Sequence, residues 1–187
     1  MNIKASDIRR GMVVSIDNTN FVVVDFAHRT PGNLRAFVQA KLKNMTSGTI
    51  IEKRFRSDEQ IEVPYVESRE YEYLYSAGDE HVFMDVESYD QLHFGEDLVG
   101  ESMKYLLPNT RVMVKYIDNK PVSIELPDSV DLTVIDTPPS IKGATATNQY
   151  KEATLETGLR VQVPPFVGPG ERVRIDTRTG EYLERVK

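Results

Sequence analysis

No cysteine occurs among the 187 residues, so disulfides and thiolate chemistry are both excluded. Histidine is almost as scarce. His28, His81 and His93 are far apart in sequence and match no metal-ligand spacing, so neither a metal nor a metal-bound cofactor is expected. No apolar run approaches the roughly 18 residues of a membrane span. The opening stretch Met1-Asn2-Ile3-Lys4-Ala5-Ser6-Asp7 is polar and lacks the apolar core of a signal peptide, which makes a cytoplasmic protein the expectation. No glycine-rich loop follows a strand and opens a helix, and no G-x-S-x-G elbow occurs. The 29 carboxylates guarantee many close pairs, so any one pair reads as a solvated face before it reads as an acid/base couple. An enzyme acting on sugars or nucleotides through such a pair is therefore disfavoured. A binding protein without cofactor is the expectation.

The net charge of −6 is an average over unlike parts. Residues 1–63 carry 10 Lys/Arg against 7 Asp/Glu, whereas residues 64–127 carry 5 against 13 and residues 128–187 carry 8 against 9. A basic first third beside an acidic middle third is the asymmetry of a molecule that meets phosphates at one end only. Small domains that differ in charge by chance would look the same.

Short β-rich runs separated by turn residues every eight to twelve positions dominate the chain, the spacing of small barrels or sandwiches. In the first third, strands at 12–16 and 21–26 flank Asp17-Asn18-Thr19-Asn20. A polar tip, His28-Arg29-Thr30-Pro31-Gly32-Asn33-Leu34-Arg35, leads to a return strand. That strand alternates Ala36, Val38, Ala40 and Leu42 on one face with Phe37, Gln39, Lys41 and Lys43 on the other. Strands at 50–55 and 61–63 follow, and five strands in this length read as an SH3-like barrel. The middle third reads as three strands, a helix over 96–106 and two strands, the order of an OB-fold. The helix has acids Glu96 and Asp97 in its first turn, Lys104 in its last, and Val99, Met103 and Leu106 along one stripe. The last third reads as strands at 130–136, 159–163, 172–176 and 181–186 around a polar stretch at 137–151. Pro64 and Pro127 lie at the composition breaks. The expectation is an all-β chain of three small barrels at 1–64, 65–127 and 128–187, with one helix in the middle one. Barrels of these types commonly bind nucleic acid.

The run from Lys151 to Gly170, with Lys151, Ala153, Gly158, Val161-Gln162-Val163-Pro164 and Gly170, resembles the signature of the elongation factor P family. Val82-Phe83-Met84-Asp85 resembles that family's second-domain strand, and Asp176-Thr177-Arg178-Thr179-Gly180-Glu181-Tyr182 its last hairpin. Pro31-Gly32 with Ala36-Phe37-Val38 and Lys41-Leu42-Lys43-Asn44 resembles its first-domain tip and return strand. The resemblance covers essentially the whole chain. It implies a KOW-type first barrel and two OB-folds in an L-shaped, tRNA-like arrangement. It implies a monomer that binds the 70S ribosome between the P and E sites, contacts peptidyl-tRNA and relieves stalling at consecutive prolines. Proline is a conformationally locked substrate, and a factor that positions tRNA ends can act by orientation alone.

Two departures from the family pattern stand out. Where relatives carry a modified lysine or arginine directly after the tip glycine, this chain has Asn33, which offers no amine, and the nearest cation is Arg35. In the third-domain loop, where relatives show Gly-Asp-Thr, it reads Gly143-Ala144-Thr145 after Lys142. The elongation factor P-like branch lacks the same aspartate and tip lysine. The resemblance therefore implies a tip site of Arg29, Pro31, Gly32, Asn33, Leu34 and Arg35, phosphate contacts at Lys41 and Lys43, and a second contact at 142–145. Read from residues alone, the tip is an ordinary solvent hairpin in which Pro31-Gly32 supplies the turn, Phe37 is packing, and Lys151 and Arg178 are surface residues. A free-standing RNA-binding or chaperone module is the alternative from a different class.

Overall fold

A computed structural model of the chain describes residues 1–140 and 150–187. It is built from three antiparallel sheets. The first comprises β1 (Asn2–Lys4), β2 (Val13–Ile16), β3 (Thr19–Arg29), β4 (Phe37–Asn44), β5 (Ile50–Arg56) and β6 (Gln60–Glu62), in the order β1-β6-β2-β3-β4-β5. The second comprises β7 (Glu67–Ala77), β8 (Glu80–Asp85), β9 (Gln91–Gly95), β10 (Arg111–Ile117) and β11 (Lys120–Glu125), ordered β11-β10-β7-β8-β9. The third comprises β12 (Ser129–Asp136), β13 (Lys151–Leu155), β14 (Arg160–Val163), β15 (Arg172–Asp176) and β16 (Tyr182–Val186), ordered β14-β13-β12-β15-β16. By contact, Met1–Ser68 with Lys115–Ser123 forms one compact unit, and Arg69–Val114 with Ile124–Lys187 forms another.

In the first sheet, Asp17 and Asn18 both take left-handed backbone (φ +50° and +60°), so a two-residue turn closes on the Ile16↔Thr19 pair. Asx residues tolerate that region, and a turn of this twist matches the twist of its strands. The turn is therefore tighter than the four-residue span expected, and β3 starts two residues early. Asp118 and Asn119 repeat the device between β10 and β11 (φ +51° and +60°). Along β4 the alternation holds as expected. Val38, Ala40 and Leu42 are fully buried, while Gln39, Lys41 and Lys43 face water. These three apolar residues join Ala5, Ile8, Val14, Phe21, Val23, Phe55 and Ile61 in one core. Each fully buried Val or Leu contributes on the order of 1.5–3 kcal/mol. There are six strands here where five were expected. The extra one, β1, pairs antiparallel with β6 and is too short to show any periodicity.

The helix over 96–106 is the main correction. An α-helix, α1, does begin at Glu96, but it ends at Val99, and Gly100–Tyr105 is a 3-10 helix. Gly100 adopts φ +34°, which no α-helix accommodates, so the continuous apolar stripe hid a break. Val99 and Leu106 are still buried as the stripe required. Their neighbours form an aromatic cluster, with ring centroids of Tyr71 and Phe94 5.5 Å apart and of Phe83 and Phe94 5.2 Å apart. The 3-10 segment then delivers Tyr105, with Leu107 just beyond it, against the third sheet's core of Leu132, Leu155, Val163 and Ile175. Thr157 Oγ1 donates to the Lys104 carbonyl at 2.5 Å. Gly180, at φ +74°, lies so close to Tyr105 that a Cβ there would be 3.0 Å from the hydroxyl.

In the third sheet, β14 and β16 stand at opposite ends of the strand order yet pack together, so the sheet curls back on itself. β13 begins at the last residue of the expected polar stretch and runs through residues given no strand, because only Ala153 and Leu155 face inward and the rest of the strand is polar.

Candidate nucleic-acid interface

The long β3–β4 hairpin positions the tip. Its ladder runs from Phe21↔Asn44 to Arg29↔Phe37, with a bulge between Val23 and Asp25 that sharpens the local twist. Residues 30–36 project beyond the last pair. The Leu34 N–H donates to the Pro31 carbonyl at 3.0 Å, so Pro31 stands at the entrance of the turn and Gly32-Asn33 at its centre. Gly32 does not use left-handed backbone, and a Cβ there would meet nothing within 4 Å. Pro31 and Gly32 thus open the turn, although its backbone does not require a glycine. Asn33, Leu34 and Arg35 are exposed, Leu34 to 74%.

Below the apex the sheet registers cations around one aromatic ring. Arg29 on β3 and Arg56 on β5 each pair with Phe37 on the β4 strand between them, so the three share a face. Arg54, one step down β5, lays its guanidinium over the Phe37 ring at 3.5 Å from the centroid. Such a contact is worth about 0.5–1 kcal/mol at an exposed site. Arg35, Phe37, Arg54, Arg56, Asp58 and Glu59 line an open cleft of about 450 Å3. Glu59 is partly engaged, accepting the Arg56 backbone N–H at 3.0 Å. Among the described residues, Arg29, Arg35, Arg54 and Arg56 have no carboxylate within ion-pair distance.

Further down the outward face, Lys41 Nζ lies 3.7 Å from Glu52, which also accepts from Gln39 at 3.1 Å. An exposed pair of that length contributes about 0–1 kcal/mol and leaves the ammonium available. Lys43 registers opposite Ile50 and has no acidic partner among the described residues. The structure thus brings Arg29, Arg35 and the apex residues to one end of the hairpin and strings Lys41 and Lys43 away from it. Lys142, Gly143, Ala144 and Thr145 lie outside the described residues.

Arg54, Arg56, Asp58 and Glu59 were missed by sequence reasoning. Their signal was the outward series Glu52, Arg54, Arg56 alternating with inward Phe55, lost because the strand was ended at residue 55. Phe37, read as packing, is half-buried and capped on one side by a cation.

Two other polar clusters serve the fold. His81 is buried. Its Nδ1 lies 2.6 Å from Ser76 Oγ and its Nε2 lies 2.8 Å from Glu96, so a first-turn acid ties α1 to β8. Arg174 on β15 donates to both oxygens of Asp131 at 2.8 and 3.2 Å, and these hydrogen bonds hold the Asp131 carboxyl below its ordinary value. Among the described residues no His/Cys/Asp/Glu group is arranged to hold a metal, and no helix is long and apolar enough to cross a membrane. Lys151 donates to the Pro138 carbonyl at 2.7 Å, and Arg178 lies 3.7 Å from Asp176.

Three family models match the chain in succession. They are described as the Elongation factor P (EF-P) KOW-like domain over residues 4–61, the Elongation factor P (EF-P) OB domain over 66–124, and Elongation factor P, C-terminal over 130–185. A protein named elongation factor P from Acidobacterium capsulatum is 47% identical over 185 residues, covering 99% of this chain and 100% of its own length. One of the same name from Caldanaerobacter subterraneus is 46% identical over 184 residues, covering 98% and 100%. Among solved structures, the eukaryotic translation initiation factor 5A from Methanococcus jannaschii aligns with a TM-score of 0.52 at 21% identity. It covers 66% of this chain and 95% of its own, a likeness of fold.

Proposed function

The chain belongs to the elongation factor P family of translation elongation factors, and we propose that it binds the 70S ribosome between the P and E sites, contacts peptidyl-tRNA through its tip hairpin and relieves stalling at consecutive prolines. The observation that carries the RNA contact is the group of four arginines around Phe37 that have no carboxylate partner among the described residues. A guanidinium left unpaired on a rigid sheet is free to meet phosphate in bidentate fashion, without first breaking an internal bond. No acid, base or nucleophile is needed for such a factor. It acts in the cytoplasm as a monomeric, non-enzymatic protein that orients the tRNA end. Its three parts divide near Pro64 and Pro127, each built on one of the three sheets.

The tip works without an added group. Asn33 sits at the centre of the turn, where an acylating enzyme finds no amine, and no lysine lies between Arg29 and Arg35. Arg35 supplies the fixed charge nearest the apex. In a homologous translation system, the purified chain should sediment with 70S particles bearing P-site tRNA and should speed synthesis through Pro-Pro-Pro. Arg35→Ala should impair that rescue more than Asn33→Ala, and native protein should carry no added mass within residues 29–37. Equal Pro-Pro-Pro rates with and without the factor would sink the functional reading. RNA binding without ribosome co-migration would instead favour a free-standing RNA-binding module.

A further inference from the structure

The cleft at the foot of the tip has a composition that a simple phosphate-binding surface does not explain. Three guanidinium groups, Arg35, Arg54 and Arg56, share it with two carboxylates, Asp58 and Glu59, and with an aromatic ring. Resting on the RNA-contact reading above, we infer that this cleft is a pocket for one unpaired ribonucleotide. The base stacks on the Arg54–Phe37 pair, the flanking phosphates lie on Arg35 and Arg56, and the carboxylates read hydrogen-bond donors.

Arg54 is the centre of the argument. Its guanidinium carbon lies over the Phe37 ring at 3.5 Å from the centroid, which engages one side of the group with the ring and leaves the other open. An exposed guanidinium plane is a stacking platform for a base that has been splayed out of a helix. Arg54 is exposed and lines the cleft, so the free side of the stack is where a ligand would enter. The second point is the mixture of signs. Asp58 is exposed and has no hydrogen-bond partner among the described residues, and Glu59 uses one oxygen on the Arg56 backbone. Carboxylates beside the guanidinium groups penalise a bare phosphate or an acidic peptide, neither of which brings donors for them. A ribonucleotide brings both kinds of group. Its phosphates suit the arginines, and its 2′-hydroxyl and exocyclic amines donate to carboxylate. Size is the third point. Small-molecule pockets run from roughly 300 to 1,000 Å3, and a cleft of about 450 Å3 admits one nucleotide but not a base-paired segment.

The test uses the full chain and three RNA hairpins of one stem sequence. One is blunt, one has a four-nucleotide single-stranded 3′ extension carrying 2-aminopurine, and one has the same extension as DNA. The extension should tighten binding by roughly tenfold or more, since stacking is worth about 1–3 kcal/mol per base. The 2-aminopurine emission should fall on binding, and the ribose extension should outbind the deoxyribose one. Arg54→Lys keeps the charge and loses the plane. It should erase the preference for the extension, read as the ratio of extended to blunt affinity within the variant, and with it the emission change. Phe37→Leu should do the same, and an unchanged melting temperature establishes that each variant is folded. Asp58→Asn should narrow the ribose preference. Equal affinity for blunt and extended hairpins, retained preference in Arg54→Lys, or competition by polyglutamate as strong as by the extended RNA would each overturn the pocket. Ribosome co-sedimentation of the same preparations separates the two levels. If it persists while the extension confers nothing, the pocket falls and the ribosome reading stands. If it is absent, the ribosome reading falls with it.

Discussion

The two ends of the chain use arginine in opposite ways. In the third sheet, four of the five arginines, Arg160, Arg174, Arg178 and Arg185, have a carboxylate partner, and Arg174 has two, Asp131 and Glu184, while Arg172 has none among the described residues. At the tip of the first sheet, Arg29, Arg35, Arg54 and Arg56 have none among the described residues. Both sets lie on β-strands or beside them, and all but the half-buried Arg174 are exposed, so secondary structure does not separate them. The pairing does. In the third sheet the charge is consumed by cross-strand bridges that help fasten β12, β15 and β16 together. At the tip it is unspent, and an unspent charge on a fixed strand is what a polyanion can use.

Removing tip charges breaks that contrast most strongly. Arg35→Ala with Arg56→Ala should weaken binding to ribosomes or extended RNA by about tenfold to a hundredfold. It should also lower the slope of log affinity against log salt by about 1.4–1.8, as expected for two lost phosphate contacts. The melting temperature should stay where it was, because no internal bond is lost. An unchanged salt slope would show that these guanidinium groups meet no phosphate.

The reciprocal substitution should move stability and not binding. Arg174→Met removes the fork on Asp131 and should lower the melting midpoint by a few degrees, with ribosome affinity at 25 °C unaltered. The effect depends on pH in a defined direction. Hydrogen bonding to Arg174 lowers the folded-state value of the Asp131 carboxyl below its ordinary 3.8. Its contribution is therefore present above that ordinary value and is lost as the pH falls through the lowered one. Melting curves in acid should show the parent losing more stability than Arg174→Met over that window. Asp85, held low by the Ser88 and Glu87 amides, and Asp176, held low by the Arg178 and Thr179 amides, keep some acid sensitivity in both proteins. Parallel acid curves would count against the fork as a stabilising element.

The smallest effect expected is at the apex. Gly32→Ala should change the melting temperature by less than a degree or so, and fold and tip geometry should survive. The backbone there is not left-handed and the added methyl meets nothing. A clear loss of stability would mean that the turn is more constrained than its single hydrogen bond suggests.

Much of the fold could be read in advance wherever alternation was long enough to count. Seven residues of β4 were plain, because period two is a local property. β1 was invisible, since three residues carry no period and its existence depends on β6, far along the chain. β13 was hidden by its polar outer face. The helix was read too long because an apolar stripe reports burial, not backbone, and Gly100 can change the backbone without leaving the stripe. At the site, the placing of the apex and of the β4 lysines on one hairpin was legible, while the role expected of them came from the family resemblance. Arg54 and Arg56 were not, because their meeting with Phe37 is set by the β4–β5 register, which the sequence of either strand alone does not display.

The turn of 3-10 helix after Gly100 has a further consequence, for tolerance of length change. Tyr105 enters the third sheet's core from the end of the 3-10 helix, Thr157 is bonded to the Lys104 carbonyl, and Gly180 leaves room for the Tyr105 hydroxyl and for no extra carbon. The stretch from residue 100 to 107 is thus gauged at both ends. Adding or deleting a single residue there would swing Tyr105 out of register with a socket it did not help to build, whereas the apex at residues 32–34 is gauged by one hydrogen bond. Within this family, lineages should be able to lengthen the apex freely while leaving the count between Gly100 and Leu107 untouched.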